Sequence, residues 1–328
     1  MSNKNYPLVS VIIPTFNRGF VVFKSIESVL NQSYKNIQCI VVDDGSTDDT
    51  VIKIQPYLDR IEYYYQPNQG QGSARNLGLS YAKGEFIATL DSDDEWFPDF
   101  ISNHLEQMLK HDLTLTFSNY DVNNSEHGRM SQIQRMKPYL DPNNINQWHI
   151  IEGGVFRDLI LPGVIIPSSG VLKRRSALAY GWDTQVKIAD DWMLQLEIAM
   201  IQPIKAGFTF EKNWKKGHFG DNISLSDLSE SKRLGKHFRD VYSDLLYVIK
   251  VFGGRLNGSE KSLLKRKLVN FKLEWLIWRI KKRKPLLFGF PEFYSQLSVA
   301  AVCYLFYVLI RRFFQIILKK RIKLKVSK

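Results

Sequence analysis

Four short apolar runs recur in the first ninety residues: Leu8–Ile13, Ile37–Val42, Ile61–Tyr65 and Glu85–Leu90. Each is too short for a helix that crosses the core and rich in β-branched or aromatic side chains, so each reads as a strand. Between them lie polar turns and segments with apolar residues at helical spacing. Phe20, Phe23, Ile26, Val29 and Leu30 form one such stripe, and Ser73 to Ala82 reads as another helix, ended by Gly84. Strand, turn and helix in repeated alternation predict an α/β fold, a mainly parallel sheet flanked by helices.

In a sheet of this kind ligands bind beyond the carboxyl ends of the strands, where the strand order reverses. The predicted strands end in Pro14-Thr15, in Asp43-Asp44 and in Asp91-Ser92-Asp93-Asp94-Glu95. Capping and turn chemistry explain each turn singly, but not their shared edge. Four carboxylates within five residues repel one another. Read alone they are either a solvated acidic turn or a site for a hard divalent cation, Mg²⁺ or Mn²⁺, which takes oxygen ligands.

An ordered set of segments resembles the family 2 glycosyltransferases. The set comprises Val9-Ser-Val-Ile-Ile-Pro-Thr-Phe-Asn-Arg18, Ser28-Val-Leu-Asn-Gln-Ser33, Ile40-Val-Val-Asp-Asp-Gly-Ser-Thr-Asp48, Asn68-Gln-Gly70, Ala74-Arg-Asn-Leu-Gly78, Gly84-Glu-Phe-Ile87 and Asp91-Ser-Asp-Asp94. The resemblance covers roughly residues 7 to 225 and implies a nucleotide-sugar GT-A fold. It implies donor-side roles for Thr15, Asn17, Arg18, Asp43, Asp44, Arg75, Asp91 and Ser92. Thr15 lines the nucleotide pocket, Asp44 accepts a uracil-type N3–H, and Asp91 contacts ribose or sugar. Arg75 approaches the diphosphate or sugar, or else pairs with the acidic crevice. Asp93 is the implied metal ligand.

The second half carries fewer signals. Residues 119 to 150 are polar and pattern-poor; they read as a mobile region around the acceptor cleft or as an ordinary surface excursion. Ile165-Ile-Pro-Ser-Ser-Gly-Val-Leu172 is apolar around a small polar centre. By the resemblance it runs beneath the acceptor site, which makes Ser168 and Ser169 acceptor-binding candidates. Asp190-Asp191-Trp192 stands where the family commonly has Glu-Asp-Trp; the match makes Asp191 the catalytic base, with Asp190 supporting it or replacing it. As residues alone, the pair also reads as the N-terminal cap of a helix. His218 is a further metal-ligand or phosphate-donor candidate, or simply structural.

The net charge of +12 hides a strong asymmetry. Residues 1–230 hold 21 Lys and Arg against 28 Asp and Glu, and residues 231–328 hold 24 against 5. The basic tail points to an anionic partner. Its run from Phe293 to Ile310 lacks charge but contains Ser295, Gln296 and Ser298, and Lys and Arg flank it on both sides. That pattern suits a helix lying in a membrane interface, through residues 270–328, better than a lone span. A helical cap or an oligomer interface would account for it too. No nucleic-acid motif accompanies the charge, so no nucleic acid is expected. Cys39 and Cys303 suggest neither a disulfide framework nor a metal site, and the N-terminus has no apolar core of a signal peptide.

The expectation is therefore an inverting, metal-dependent glycosyltransferase. It would move a sugar from a nucleoside-diphosphate sugar, a UDP-sugar, to a hydroxyl of a lipid-linked or glycan acceptor in surface polysaccharide synthesis, at the cytoplasmic membrane face. Residues 1–225 would form the transferase domain, divided near residue 95 into nucleotide and acceptor halves. Residues 226–328 would form the helical, basic extension. A sugar nucleotidyltransferase and a non-catalytic nucleotide-sugar binder are the alternatives.

Overall fold

The computed structural model describes residues 7–122, 147–162, 166–186, 188–200, 204–217 and 231–281. The chain divides into two compact units, Met1–Val248 and Ile249–Lys328.

Among the described residues, the first unit is built on one nine-stranded sheet. The strands are β1 (Val9–Thr15), β2 (Ile37–Asp43), β3 (Glu62–Tyr65), β4 (Phe86–Thr89), β5 (Glu95–Trp96), β6 (Leu115–Val122), β7 (Trp148–Glu152), β8 (Val171–Arg174) and β9 (Lys205–Lys216). Their order is β3-β2-β1-β4-β8-β6-β9-β5, with β7 paired to β9. Across β3-β2-β1-β4 every pairing is parallel, as the strand–helix alternation predicts. Beyond β4 the pairing is mixed. β8 runs antiparallel to β4 and β6, β6 is parallel to β9, and β5 and β7 are antiparallel to β9. The α/β sheet flanked by helices is as expected; parallel pairing is unbroken in its first half and mixes with antiparallel pairing in the second, where the antiparallel pairs join strands distant in sequence.

Helix α1 (Val22–Leu30) turns Val22, Ile26 and Val29 into the core beside Val11 and Ile13 of β1. The short α2 (Thr50–Ile54) follows the turn after β2. Helix α3 (Gln71–Tyr81) covers the other face, and Gly78 makes that approach possible. A Cβ there would stand 2.4 Å from the Ile12 Cγ2. Helix α4 (Phe100–Lys110) buries Phe100, Ile101, Leu105 and Met108 against the same core as α1. The region 119–150 is not wholly irregular: β6 continues to Val122 and β7 begins at Trp148. The segment between them lies outside the described residues. Helices α5 (Gly153–Ile160) and α6 (Asp190–Ala199) complete the second half.

Helix α7 (Ser231–Phe252) begins in the first unit. In the second unit, α8 (Gly258–Lys281) buries Leu264 and exposes Lys261, Lys265 and Arg266. Among the described residues, no helix is long and apolar enough to cross a membrane. The charge-free run 293–310 lies outside the described residues, as does His218.

The order 3-2-1-4 puts the reversal between β1 and β4. Thr15 ends one of those strands and Asp91 follows the other, so the crevice where such sheets bind ligands opens between them.

Candidate active site

At the ends of β1 and β2 the polar residues divide into those engaged in shaping turns and those left open. The Asp43 carboxylate accepts the Ser46 N–H at 2.8 Å and the Tyr63 hydroxyl at 3.1 Å. Asn17, at a φ of 52°, accepts the Thr47 N–H at 2.8 Å, and its own N–H donates to the Ser46 hydroxyl at 2.9 Å. Gly45, at a φ of 83°, lets the chain turn between them. Asp44 Oδ1 accepts from the Gln66 side chain at 2.6 Å and the Gln69 N–H at 2.9 Å, while Oδ2 accepts the Gly70 N–H at 2.8 Å. Three bonds leave this carboxylate with an acceptor position to spare. The Arg18 guanidinium lies 5.9 Å from the centre of the Phe20 ring. Thr15 is buried, and its hydroxyl has no hydrogen-bond partner.

The acidic turn after β4 folds back because β5 pairs with β9, Glu95 opposite Lys215 and Trp96 opposite Trp214. That pairing carries the end of β9 to Asp94, whose Oδ1 accepts the Gly217 N–H at 2.8 Å. Asp94 Oδ2 accepts the Ser169 hydroxyl at 2.5 Å, and the Asp91 N–H donates to the same hydroxyl oxygen at 3.0 Å. From the other side the Ser25 hydroxyl donates to the Asp94 carbonyl at 2.8 Å. Asp94 is buried at the heart of the turn. Ser92, beside it, is also buried.

Asp91, Asp93 and Asp94 each offer a carboxylate oxygen, all within 4.8 Å of one another. Burial, then repulsion from Asp91, pushes Asp93 up to about 6 against the pull of Arg18 and Lys216. Burial pushes Asp94 up to about 7 although Lys216 opposes it. Burial works against the charge of Lys216, yet these acids outweigh it and its ammonium is held more firmly than usual. Two carboxylates with raised proton affinity beside a third acid make a site short of positive charge, and an all-oxygen donor set suits a hard divalent cation. Among the described residues the Asp93 carboxylate accepts no hydrogen bond from another residue, so it is the one open to a ligand.

The acidic pair stands in the first turn of α6, but neither side chain caps the helix; Ala189 occupies the cap position. Both carboxylates instead face Arg75. Its Nη1 lies 2.5 Å from Asp190 Oδ2 and 3.2 Å from Asp191 Oδ1, and its Nη2 lies 2.8 Å from Asp91 Oδ1. The guanidinium is buried and sits 5.8 Å from the Trp182 ring centre. Burial weakens its charge, but the three carboxylates more than restore it. Arg75 is thus an ion-pair partner of both acidic groups. Gln71 also donates to Asp91, at 3.0 Å.

Asp191 is held a second time. Ser168 donates to it through its N–H, at 3.1 Å to Oδ2, and through its hydroxyl to Oδ1. Ser168 and Ser169 are thus the links from the segment before β8 to the two acidic groups. Burial, only partly offset by Arg75, pushes Asp190 up to about 7. Beneath the cluster lies Lys173 of β8, fully buried, its ammonium without a hydrogen-bond partner and 5.9 Å from the Trp182 ring centre. Burial brings it down to about 8. Lys173, Lys216 and Gln71 escaped sequence reasoning; a lysine in the buried part of a strand is the one signal that pointed to the first.

Comparison with known proteins follows the same lines. Residues 10–177 match the model of glycosyl transferase family 2. An uncharacterized glycosyltransferase of Haemophilus influenzae is 38% identical over 162 residues, which cover 48% of this chain and 65% of that protein. The Escherichia coli UDP-Glc:alpha-D-GlcNAc-diphosphoundecaprenol beta-1,3-glucosyltransferase WfgD is 38% identical over 133 residues, covering 39% of this chain and 53% of that protein. The chain spans less than two thirds of the length of these relatives. Among solved structures, S. aureus TarS 1-349 in complex with UDP-GlcNAc aligns with a TM-score of 0.62 at 17% identity, over 85% of this chain and 76% of that one. The mannosyltransferase PcManGT from Pyrobaculum calidifontis, in complex with GDP-Man and Mn²⁺, aligns with a TM-score of 0.54 at 16% identity, over 92% and 81%. These two likenesses are likenesses of fold.

Proposed function

Because the chain belongs to glycosyl transferase family 2, we propose that it is an inverting, metal-dependent transferase. It moves a sugar from a UDP-sugar to a hydroxyl of a lipid-linked glycan. The observation that carries this reading is the shared edge. Two separate acidic groups, Asp91–Asp94 and Asp190–Asp191, meet across one buried arginine at the strand-order reversal.

The donor's base lies at the ends of β1 and β2, where Thr15 has an unmet hydroxyl and Asp44 a spare acceptor position. A carboxylate there accepts an imide N–H and rejects a ring nitrogen that is itself an acceptor, which favours uracil over cytosine. Asn17 and Asp43 serve the donor indirectly, by holding the turn around it. Asp93 is the residue of this chain that would hold a divalent cation, with Asp91 and Asp94 beside it; such an ion supplies positive charge for the departing diphosphate. Ser92 lies within that turn, and Arg18 faces Asp93 from the donor side.

Asp191 accepts the proton of the acceptor hydroxyl. As that O–H bond breaks, the oxygen bonds to the anomeric carbon on the face opposite the nucleotide, and the carbon's bond to the diphosphate oxygen breaks. Ser168 fixes the Asp191 carboxylate through two bonds, and together with Arg75 leaves one Oδ2 lone pair for the incoming hydroxyl. General-base assistance of this type is worth about 10² to 10⁴-fold.

WfgD is described as acting on a diphosphoundecaprenol-linked acceptor. The basic tail supports the same class of acceptor here, since a lipid-linked glycan is met at a membrane. Exposed Lys261, Lys265 and Arg266 on α8 supply cations for an anionic surface, each worth about 1 kcal/mol near the lipid. The enzyme would then work at the cytoplasmic face of the membrane.

The test is to incubate the purified chain and Mn²⁺ with a panel of nucleotide-sugars and a prenyl-diphosphate-linked sugar acceptor. Release of UDP with formation of a longer glycan is the expected result. Pyrophosphate release from a nucleoside triphosphate, or no consumption of any donor, overturns the reading.

A further inference from the structure

The turn that presents the two acids is held by a helix outside the residues that match the family model. On α7, Asp244 is 2% exposed, and its Oδ2 accepts the N–H of Ile188 at 2.8 Å and the N–H of Ala189 at 3.0 Å. Ala189 is the cap residue of α6, and Asp190 and Asp191 follow it directly. Three residues on, on the same face of α7, the Tyr247 hydroxyl donates to Asp183 at 2.9 Å. From the sheet side, Asn76 of α3 closes a pair of bonds with Trp182, its Nδ2 to the carbonyl and its Oδ1 from the N–H, each 2.7 Å. The stretch from Trp182 to Ala189 is therefore anchored at both ends.

The first N–H groups of a helix have no partner within it, and a buried one left unpaired is costly. Helices commonly meet this need with their own cap side chain. Here Ala189 has no side chain to offer, and the two acids that follow are both turned to Arg75. Asp244, from another helix, instead binds the two amides that lead into the helix, those of Ile188 and of the cap residue Ala189. It thereby sets the direction in which the first turn of α6 aims Asp190 and Asp191.

We infer that Asp244 is a positioning residue: by binding the Ile188 and Ala189 amides it fixes the first turn of α6 and, through it, the reach of the Asp191 carboxylate to the acceptor hydroxyl. The catalytic part of this inference rests on the function proposed above; the structural part does not. The effect falls on turnover and not on donor affinity, because the donor's base is held by β1 and β2.

The experiment uses the full chain, comparing Asp244→Leu with Asp244→Asn. The amide keeps an oxygen that can accept both N–H groups, while leucine has none. Hydrogen exchange of peptides covering residues 188–194 is read first. Faster exchange in Asp244→Leu, by on the order of tenfold or more, with near wild-type exchange in Asp244→Asn, is expected. Unchanged exchange in Asp244→Leu overturns the clamp whether or not a substrate is known. With an active donor and acceptor pair, Asp244→Leu should lose on the order of ten- to a hundredfold in kcat at constant donor KM. Asp244→Asn should retain most of kcat. An unchanged kcat, a rise in donor KM alone, or an Asp244→Asn as impaired as the leucine variant overturns the positioning role. If Asp244→Leu fails to fold, Tyr247→Phe takes its place; it removes one neighbouring bond, and wild-type exchange over residues 182–189 together with wild-type kcat would count against the inference. If instead the wild-type chain consumes no donor, or Asp191→Asn turns over normally, the proposed function fails while the exchange result still judges the clamp.

Discussion

Arg75 Nη1 lies 2.5 Å from Asp190 Oδ2, joining residues 115 positions apart in the chain. The same guanidinium reaches Asp91 and Asp191, so it ties the acidic turn after β4 to the first turn of α6. Arg75→Met would take from three carboxylates the one cation that touches them all, and stranding buried partners in this way costs about 3–5 kcal/mol. Arg75→Lys should recover part of that, since a single ammonium cannot reproduce the two-pronged grip. Urea denaturation reads both. A wild-type midpoint for Arg75→Met would mean the bridge contributes nothing to holding the halves together.

The two acids of α6 differ in ways that separate their roles. Asp191 is oriented by Ser168 and Arg75, whereas Asp190 contacts Arg75 and has its proton affinity raised by burial. An orientation argument selects Asp191 as base; a proton-affinity argument selects Asp190. Asp191→Asn should lower kcat by about 10² to 10⁴-fold while UDP still binds, and Asp190→Asn should lower it less. The reverse order would make Asp190 the base. Ser168→Ala tests the same point, since loss of the hydroxyl bond should reduce kcat without moving donor KM.

Much of this site was legible in the sequence, and the illegible parts share a cause. The strands carry their own signal, because Val9–Ile13 and Ile40–Val42 are buried on both faces of a parallel sheet and so read as unbroken apolar runs. Asp43, Asp44 and Asp91 follow such runs, so their shared edge could be deduced. What each carboxylate does there could not. Asp43, Asp44 and Asp94 are as acidic in sequence as Asp93, yet their carboxylates accept hydrogen bonds that hold the turns, whereas that of Asp93 accepts none from another described residue. Gly217 lies 123 residues from Asp94 and comes into place through the β5–β9 pairing, which a two-residue strand does not announce. Ser168 and Ser169 read from the sequence as acceptor contacts; that they also hold Asp191 and Asp94 is visible only in the fold.

Thr15 offers a test of the donor pocket that leaves the acids untouched. Its buried hydroxyl has no hydrogen-bond partner, so Thr15→Val removes an unmet polar group and keeps the shape. The variant should be as stable as the wild type or slightly more so. Its affinity for UDP should fall by about tenfold, the worth of one hydrogen bond in a buried site. Calorimetric titration with UDP reads the second effect and thermal unfolding the first. Undiminished UDP affinity would place the nucleotide elsewhere on the edge.

Asp93 and Asp94 are expected to part company in the same spirit. Asp93→Asn should weaken Mn²⁺ binding in the presence of UDP, read by electron paramagnetic resonance of the free ion, with little change in stability. Asp94→Asn removes an acceptor that serves Gly217 and Ser169, and it should cost stability of about 1–3 kcal/mol. If Asp94→Asn alone abolished Mn²⁺ binding, the ligand assignment would move from Asp93 to its neighbour.

Lys173 gives the clearest dependence on pH. Its ammonium is buried without a hydrogen-bond partner, and burial lowers it from the ordinary 10.5 to about 8. Between those values the unfolded chain holds a proton that the folded chain has released. The unfolded state therefore binds more protons in that window, and the contribution of this residue to stability rises as the pH rises from 8 to 10.5. Below about 8 both states are protonated and the folded chain bears the full penalty of the buried charge. Lys173→Met removes the penalty while keeping the volume, and replacing a buried charge in this way is often neutral or stabilising. The variant should thus exceed the wild type in stability at pH 7, with the difference narrowing toward pH 10; subtracting the two curves cancels the tyrosines and other lysines that titrate nearby. Turnover should move the other way, since Lys173 is a cation that interacts with the charges of Asp191 and Asp91. A variant equally destabilised at both pH values would show instead that the ammonium is a structural counter-ion, held in place by the acids above it.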